Sequence, residues 1–183
     1  HLIMQKFPIR RQKYAHIFRA KKYLAIECQE IWGGSHFSRT GWSTYIDHAG
    51  ATPEWIGENF RKSIQSSEYF TTPGVPFPQG TSAKVNAESG LLMLAFWEKI
   101  AEAFRFKDWR AARAKTAMVF ASWDYELKDQ IELGASKSRG GGHSGWLQGE
   151  DQGTVFQVSI NASNEELGNV IIQTLNVCKP NYL

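Results

Sequence analysis

A chain of 183 residues with 42% hydrophobic and 13% aromatic content is long enough to bury a substantial core. Its most apolar stretch, residues 91–97, falls far short of the roughly 20 residues that span a bilayer. The two cysteines, Cys28 and Cys178, make no disulfide framework, and the formal charge of +3 hides an asymmetry: residues 1–22 hold seven basic residues and no acid. With no apolar segment near the N-terminus suited to a secretory signal, the expectation is a soluble, reduced, cytoplasmic protein, with Met4 a candidate native start after residues 1–3.

In chain order, residues 15–20, 23–29 and 43–47 read as strands from their β-branched and aromatic content. Residues 52–64 follow as a helix. The prolines and glycines of residues 71–80, followed by small polar residues to 87, read as a long surface loop. From Glu88 the apolar positions Leu92, Phe96 and Ile100, and Leu94, Trp97, Ala101 and Phe104, predict a broadly buried helix, with a short basic helix over 108–113. A hairpin over 117–123 and 127–133, a glycine-rich connection at 138–145, a strand over 154–160 and a last helix complete the chain. Runs of strands with helices between them predict an α+β fold, a mostly antiparallel sheet with helices packed on it.

One phrase occurs twice. Thr52, Glu54, Ile56, Gly57, Phe60 and Ile64 align with Ser163, Glu165, Leu167, Gly168, Ile171 and Leu175. Each begins with a hydroxyl N-cap, puts carboxylates in the first turn and sets apolar groups along one stripe. Gly41-Trp42 and Gly145-Trp146 precede the two helices, and Arg19-Ala20-Lys21 and Arg113-Ala114-Lys115 open the halves. The expectation is a single domain, 1–183, of two related β-β-β-α halves at about 14–70 and 113–179, joined by a loop and helix at 71–112.

Chemical motifs are thin. Residues 138–146 are rich in glycine but lack a phosphate-loop ending. His36, Arg39, Asp47 and His48 are the nearest approach to a nuclease-like set, with no motif fixing their spacing. No cysteine and histidine spacing matches a metal site, and no cofactor is expected. Trp32, Trp42, Trp97, Trp109, Trp123 and Trp146 read as core anchors. Basic residues 6–23, with Arg10, Arg11 and Lys13 interleaved with Phe7, Tyr14, Phe18 and Tyr23, give the alternative function, nucleic-acid binding or nuclease activity. The competing reading places Tyr14, His16 and Phe18 on a strand, core-facing or at a sheet edge guarded by lysines.

Residues 155–179, VFQVSINASNEELGNVIIQTLNVCK, resemble the C-terminal signature of immunity proteins of bacterial contact-dependent growth-inhibition (CDI) systems, and residues 52–67 are similar to a first copy. The resemblance implies a cytoplasmic, non-catalytic protein that binds the C-terminal toxin domain of a cognate CDI effector, a nuclease in this reading, and covers its active or substrate surface, with no membrane partner. Residues 120–178 hold eight acids against three lysines and arginines, a charge pattern suited to a basic toxin surface. Candidate contacts are His143, Trp146, Glu150 and Asp151 in and after the glycine-rich segment, and Asp124, Glu126 and Asp129 at the hairpin turn.

Overall fold

Alternating residues near the start form β1 (Lys13–Arg19), which turns back as β2 (Tyr23–Ile31). Next come β3 (Ser35–Phe37), β4 (Thr44–Asp47), a 3-10 turn at His48–Gly50 and helix α1 (Pro53–Ser66). Helices α2 (Thr81–Ala103) and α3 (Trp109–Ala114) lead into β5 (Ala117–Trp123), β6 (Gln130–Ala135), β7 (Lys137–Arg139), β8 (Gly142–Ser144), β9 (Val155–Ser159) and α4 (Asn164–Asn176). This computed structural model describes residues 11–70, 81–139, 142–146 and 153–183.

The main sheet is antiparallel in the order β3-β2-β1-β5-β6-β9, with β4 also on β2. Since β1 occupies one side of β2, β3 and β4 share the other: β3 pairs with Gln29–Ile31 and β4 with Tyr23–Ile26. At the centre, β1 and β5 pair over their full lengths, from Lys13 opposite Trp123 to Arg19 opposite Ala117. The fold is mixed α+β, as the order of strands and helices predicts.

Helices cover both sides of the sheet. On one side Ile17, Ile26, Val119, Ile131 and Leu133 pack with Ile56, Phe60 and Ile64 of α1 and Leu167, Ile171 and Leu175 of α4. On the other, Phe18, Tyr23 and Met118 pack with Trp97 and Ile100 of α2 and Ala112 of α3. Burying each large apolar side chain contributes roughly 1.5–3 kcal/mol, so period-two alternation on the strands and helical stripes are satisfied together. The two predicted N-caps form, Thr52 Oγ1 accepting from the Trp55 amide at 3.2 Å and Ser163 Oγ from Glu166 at 3.1 Å; Asp108, expected as the first residue of the short helix, instead caps it, its Oδ1 accepting from Ala111 at 2.8 Å.

Several expectations are corrected. Helix α2 begins at Thr81 rather than Glu88, because residues 81–87 contain no proline or glycine to stop it and include alanines and a lysine that favour helix; residues 71–80 of the expected loop lie outside the described residues. The second strand of the hairpin starts at Gln130, since Leu127 and Lys128 turn back to donate to the Asp124 carbonyl. The glycine-rich segment forms its own hairpin, β7 with β8, pairing Ser138 with His143. Strand β1 is central, so its lysines guard no edge. Among the tryptophans, Trp97 and Trp32 are buried, but Trp42 is 43% exposed, its indole donating to Oδ1 of buried Asn59 in α1.

Candidate functional site

β2 is buried on both faces, whereas β6 and β9 are covered on one only. Ile131, Leu133, Ala135 and Val158 point into the α1/α4 core, while Gln130, Glu132 and Gln157 are exposed and Val155 is 40% exposed. Strand register turns this into two rows across the sheet: Glu27, His16, Phe120, Gly134 and Val155, and beside it Gln29, Tyr14, Ser122, Glu132 and Gln157. Each row runs from beneath α2 out to open surface. Among the described residues no helix covers the β6–β9 end of this face.

Where the rows pass under α2, the sheet carries a buried carboxylate. Glu27 receives hydrogen bonds from Trp97 Nε1 at 2.7 Å and Gln29 Nε2 at 2.7 Å, and His16 Nδ1 lies 3.8 Å from it. Burial by itself would raise the Glu27 pKa; adjacent His16, the Arg113 guanidinium and the Trp97 donor outweigh this and hold it below the usual carboxylate range. Gln29 is fixed in turn by the Ser35 hydroxyl at 3.1 Å.

Beside this cluster a cavity of about 540 Å³ opens between α3 and β8, lined by Trp109, Arg110, Arg113, Met118, Phe120 and His143. Arg113 packs its guanidinium over the rings of Phe18 and Trp97, 5.1 and 5.2 Å from their centres, and Arg110 lies 5.0 Å over Trp109. His143 Nε2 contacts the Thr116 hydroxyl at 3.1 Å, while its buried Nδ1 has no hydrogen-bond partner. Burial, then the charges of Arg113 and His16, push the His143 imidazole below its ordinary pKa and favour the neutral ring.

The candidates read from sequence fall in separate places. His143 lines the cavity. Trp146 is half-buried against the α1/α4 core, with the Lys137 ammonium 5.8 Å from its ring centre. Asp124 is buried and accepts from Gln12 Nε2, Glu126 pairs with Arg11 at 3.8 Å, and Asp129 accepts from Asn161 Nδ2 at 3.4 Å. Glu150 and Asp151 lie outside the described residues. The acidic turn and the cavity stand at opposite ends of β5, roughly 20 Å apart for a strand of this length.

The nuclease-like set is not assembled. His36 stacks on Trp32 with ring centres 3.4 Å apart, and Arg39 pairs with buried Glu30 at 2.8 Å and with Glu88 at 3.4 Å, while Asp47 and His48 lie beside the other end of β2. Most described basic residues of the N-terminal segment are engaged within the chain, Lys21 being exposed. Lys13 donates to the Gln65 and Ser67 carbonyls, buried Arg19 to Asn176 and Asn181, and Lys22 to Phe104. Phe18 and Tyr23 are fully buried, which removes them as base-stacking platforms. Among the described residues no group of three or more His, Cys, Asp or Glu is placed to hold a metal ion.

From sequence, no functional role is assigned to His16, Glu27, Arg110 or Arg113. Glu27 had a signal: a carboxylate in the middle of the otherwise apolar run Tyr-Leu-Ala-Ile-Glu-Cys is costly unless paired. Its partner, Trp97, is 70 positions away, and nothing local points to it.

The CdiI family, CDI immunity protein, matches residues 13–178, nearly the whole chain. This chain belongs to the CDI immunity protein family. No curated protein matches it in sequence. Among solved structures, it is similar to a protein of unknown function from Neisseria meningitidis, with a TM-score of 0.73 and 13% identity over 95% of this chain and 99% of that one. It is also similar to a chain from a CdiA-CT/CdiI toxin and immunity complex from Yersinia pseudotuberculosis, with a TM-score of 0.74 and 14% identity over 93% and 99% of the two chains. At these identities the structural likeness is one of fold; family membership rests on the sequence match along residues 13–178.

Proposed function

We propose that this immunity protein binds and neutralises the C-terminal toxin domain of a cognate CDI effector in the cytoplasm, as a stoichiometric inhibitor and not as an enzyme. The observation that carries the docking site is the half-covered sheet. A strand face with Val155, Gln157 and Glu132 exposed, continuous with Phe120 at the cavity, offers a firm surface of mixed polarity on a well-packed scaffold. A standard interface of roughly 800 Å² per partner is wide enough to reach from His143 to the acidic turn at Asp124, Glu126 and Asp129, with Glu150, Asp151 and Trp146 as further candidate contacts. We take the toxin to be a nuclease, because an acidic surface from the C-terminal half complements the basic groove with which such enzymes hold phosphates.

The test is to recover the protein crosslinked from its native cells without nuclease treatment, and identify what accompanies it by mass spectrometry and absorbance. A toxin domain in one-to-one ratio is the expected result, and nuclease activity of that domain, suppressed on adding the immunity protein, checks the second part. Recovery of nucleic acid with no protein partner rejects the reading.

A further inference from the structure

The cavity between α3 and β8 is lined by two arginines and a histidine, and no Asp or Glu is among its described lining residues. Among the described residues, neither Arg110 nor Arg113 forms an ion pair with a carboxylate. Glu27, whose charge is felt by Arg113, is buried beneath and already occupied by Trp97 and Gln29, and Asp108 accepts from the Ala111 amide as the cap of α3. Both guanidiniums lie against aromatic rings, and Arg113 gives one N–H, from Nη1, to Met93 Sδ at 3.7 Å, so further N–H groups are left for a partner. His143 adds a buried ring nitrogen with no hydrogen-bond partner.

A protein docked on the open sheet face meets this cavity directly, since Phe120 belongs to both. Covering it with an apolar side chain would strand two desolvated cations; a carboxylate in bidentate contact removes that cost. We infer that the cavity seats an Asp or Glu side chain of the toxin, received by Arg110 and Arg113. The inference rests on the toxin-binding reading above and specifies its chemistry: at this spot the toxin presents an acid, opposite in sign to the basic surface expected to face the acidic turn.

The experiment is calorimetric titration of the full chain with the toxin domain recovered as above, using wild type, Arg110→Gln, Arg110→Lys and Arg113→Lys. Arg110 is exposed, so its variants are expected to fold normally, with thermal melts as the control. Arg110→Gln should weaken binding roughly tenfold or more, Arg110→Lys should lose less, and added salt should narrow the gap between wild type and Arg110→Gln. One Asp→Asn or Glu→Gln change in the toxin should weaken binding to wild type and cost clearly less against Arg110→Gln, where only Arg113 is left to receive the acid. If Arg110→Gln and Arg113→Lys both bind within twofold of wild type, or no toxin acid couples to Arg110, the inference falls while the immunity function stands. A short RNA oligomer that binds wild type but not Arg110→Gln, and competes with the toxin, would assign the cavity to phosphate and overturn it too. If the recovered toxin domain shows no binding to wild type at all, both readings fail.

Discussion

Gly57 of α1 lies against the backbone of Asn164 at the start of α4, so close that a methyl group on it would stand 1.8 Å from the Asn164 carbonyl oxygen. The contact is reciprocated: a methyl group on Gly168 would stand 1.9 Å from the carbonyl oxygen of Pro53. The helices therefore cross where each contributes a glycine to the other's first turn. Alanine would gain up to about 1 kcal/mol in helix propensity, but backbone atoms cannot swing aside as a side chain would, and prising the helices apart costs about 3 kcal/mol or more. Gly57→Ala and Gly168→Ala are each expected to lower the urea midpoint markedly. Unchanged midpoints would show that the crossing tolerates separation.

Glu27 links folding to acid. Its folded pKa lies below the unfolded value, so its contribution is fully present above about pH 4.5 and is lost as pH falls through the folded value. Glu27→Gln should remove that part of the acid dependence. At neutral pH it should also cost about 2 kcal/mol, since the amide no longer offers the Trp97 indole and Gln29 a charged acceptor. Denaturation curves from pH 3 to 7 check both effects, and parallel profiles for wild type and variant would contradict the assignment.

Arg61 ties α1 to the connection between β9 and α4. Its guanidinium donates to the carbonyls of Ile160 and Ala162 and to Asn164 Oδ1 at 3.3 Å, while Asn164 Nδ2 donates back to Glu54. Arg61→Met keeps the apolar stem and removes every donor. The expected loss is about 2 kcal/mol of unfolding free energy, with faster amide exchange in residues 160–164.

Exposed positions on the open face separate binding from folding. Glu132 and Gln157 are exposed, and Glu132→Lys or Gln157→Lys alone should leave stability within about 0.5 kcal/mol of wild type. The pair should cost up to about 1 kcal/mol because the two lysines stand opposite each other. On the proposed docking face their combination should weaken toxin affinity at least roughly tenfold. Glu150→Lys with Asp151→Lys tests the acidic candidates in the same assay. Unchanged affinity in that pair would remove them from the interface.

What the sequence determined by itself is local. Strand alternation at Tyr14, His16 and Phe18, the N-caps Thr52 and Ser163, and the two echoing helix starts follow from neighbours a few positions apart, and the family ending is a short string of the same kind. His143 was legible as a candidate because a histidine among glycines stands out. Its cavity was not, since Arg113, Thr116 and Phe120 reach it from α3 and β5. Only the tertiary structure decided that β1 is central, that Glu27 answers to Trp97, that Gly57 and Gly168 are a helix crossing, and that the β6–β9 end of one sheet face is open among the described residues. Those outcomes depend on where α2 docks and how much of the sheet it covers, a non-local packing result that no window of sequence contains.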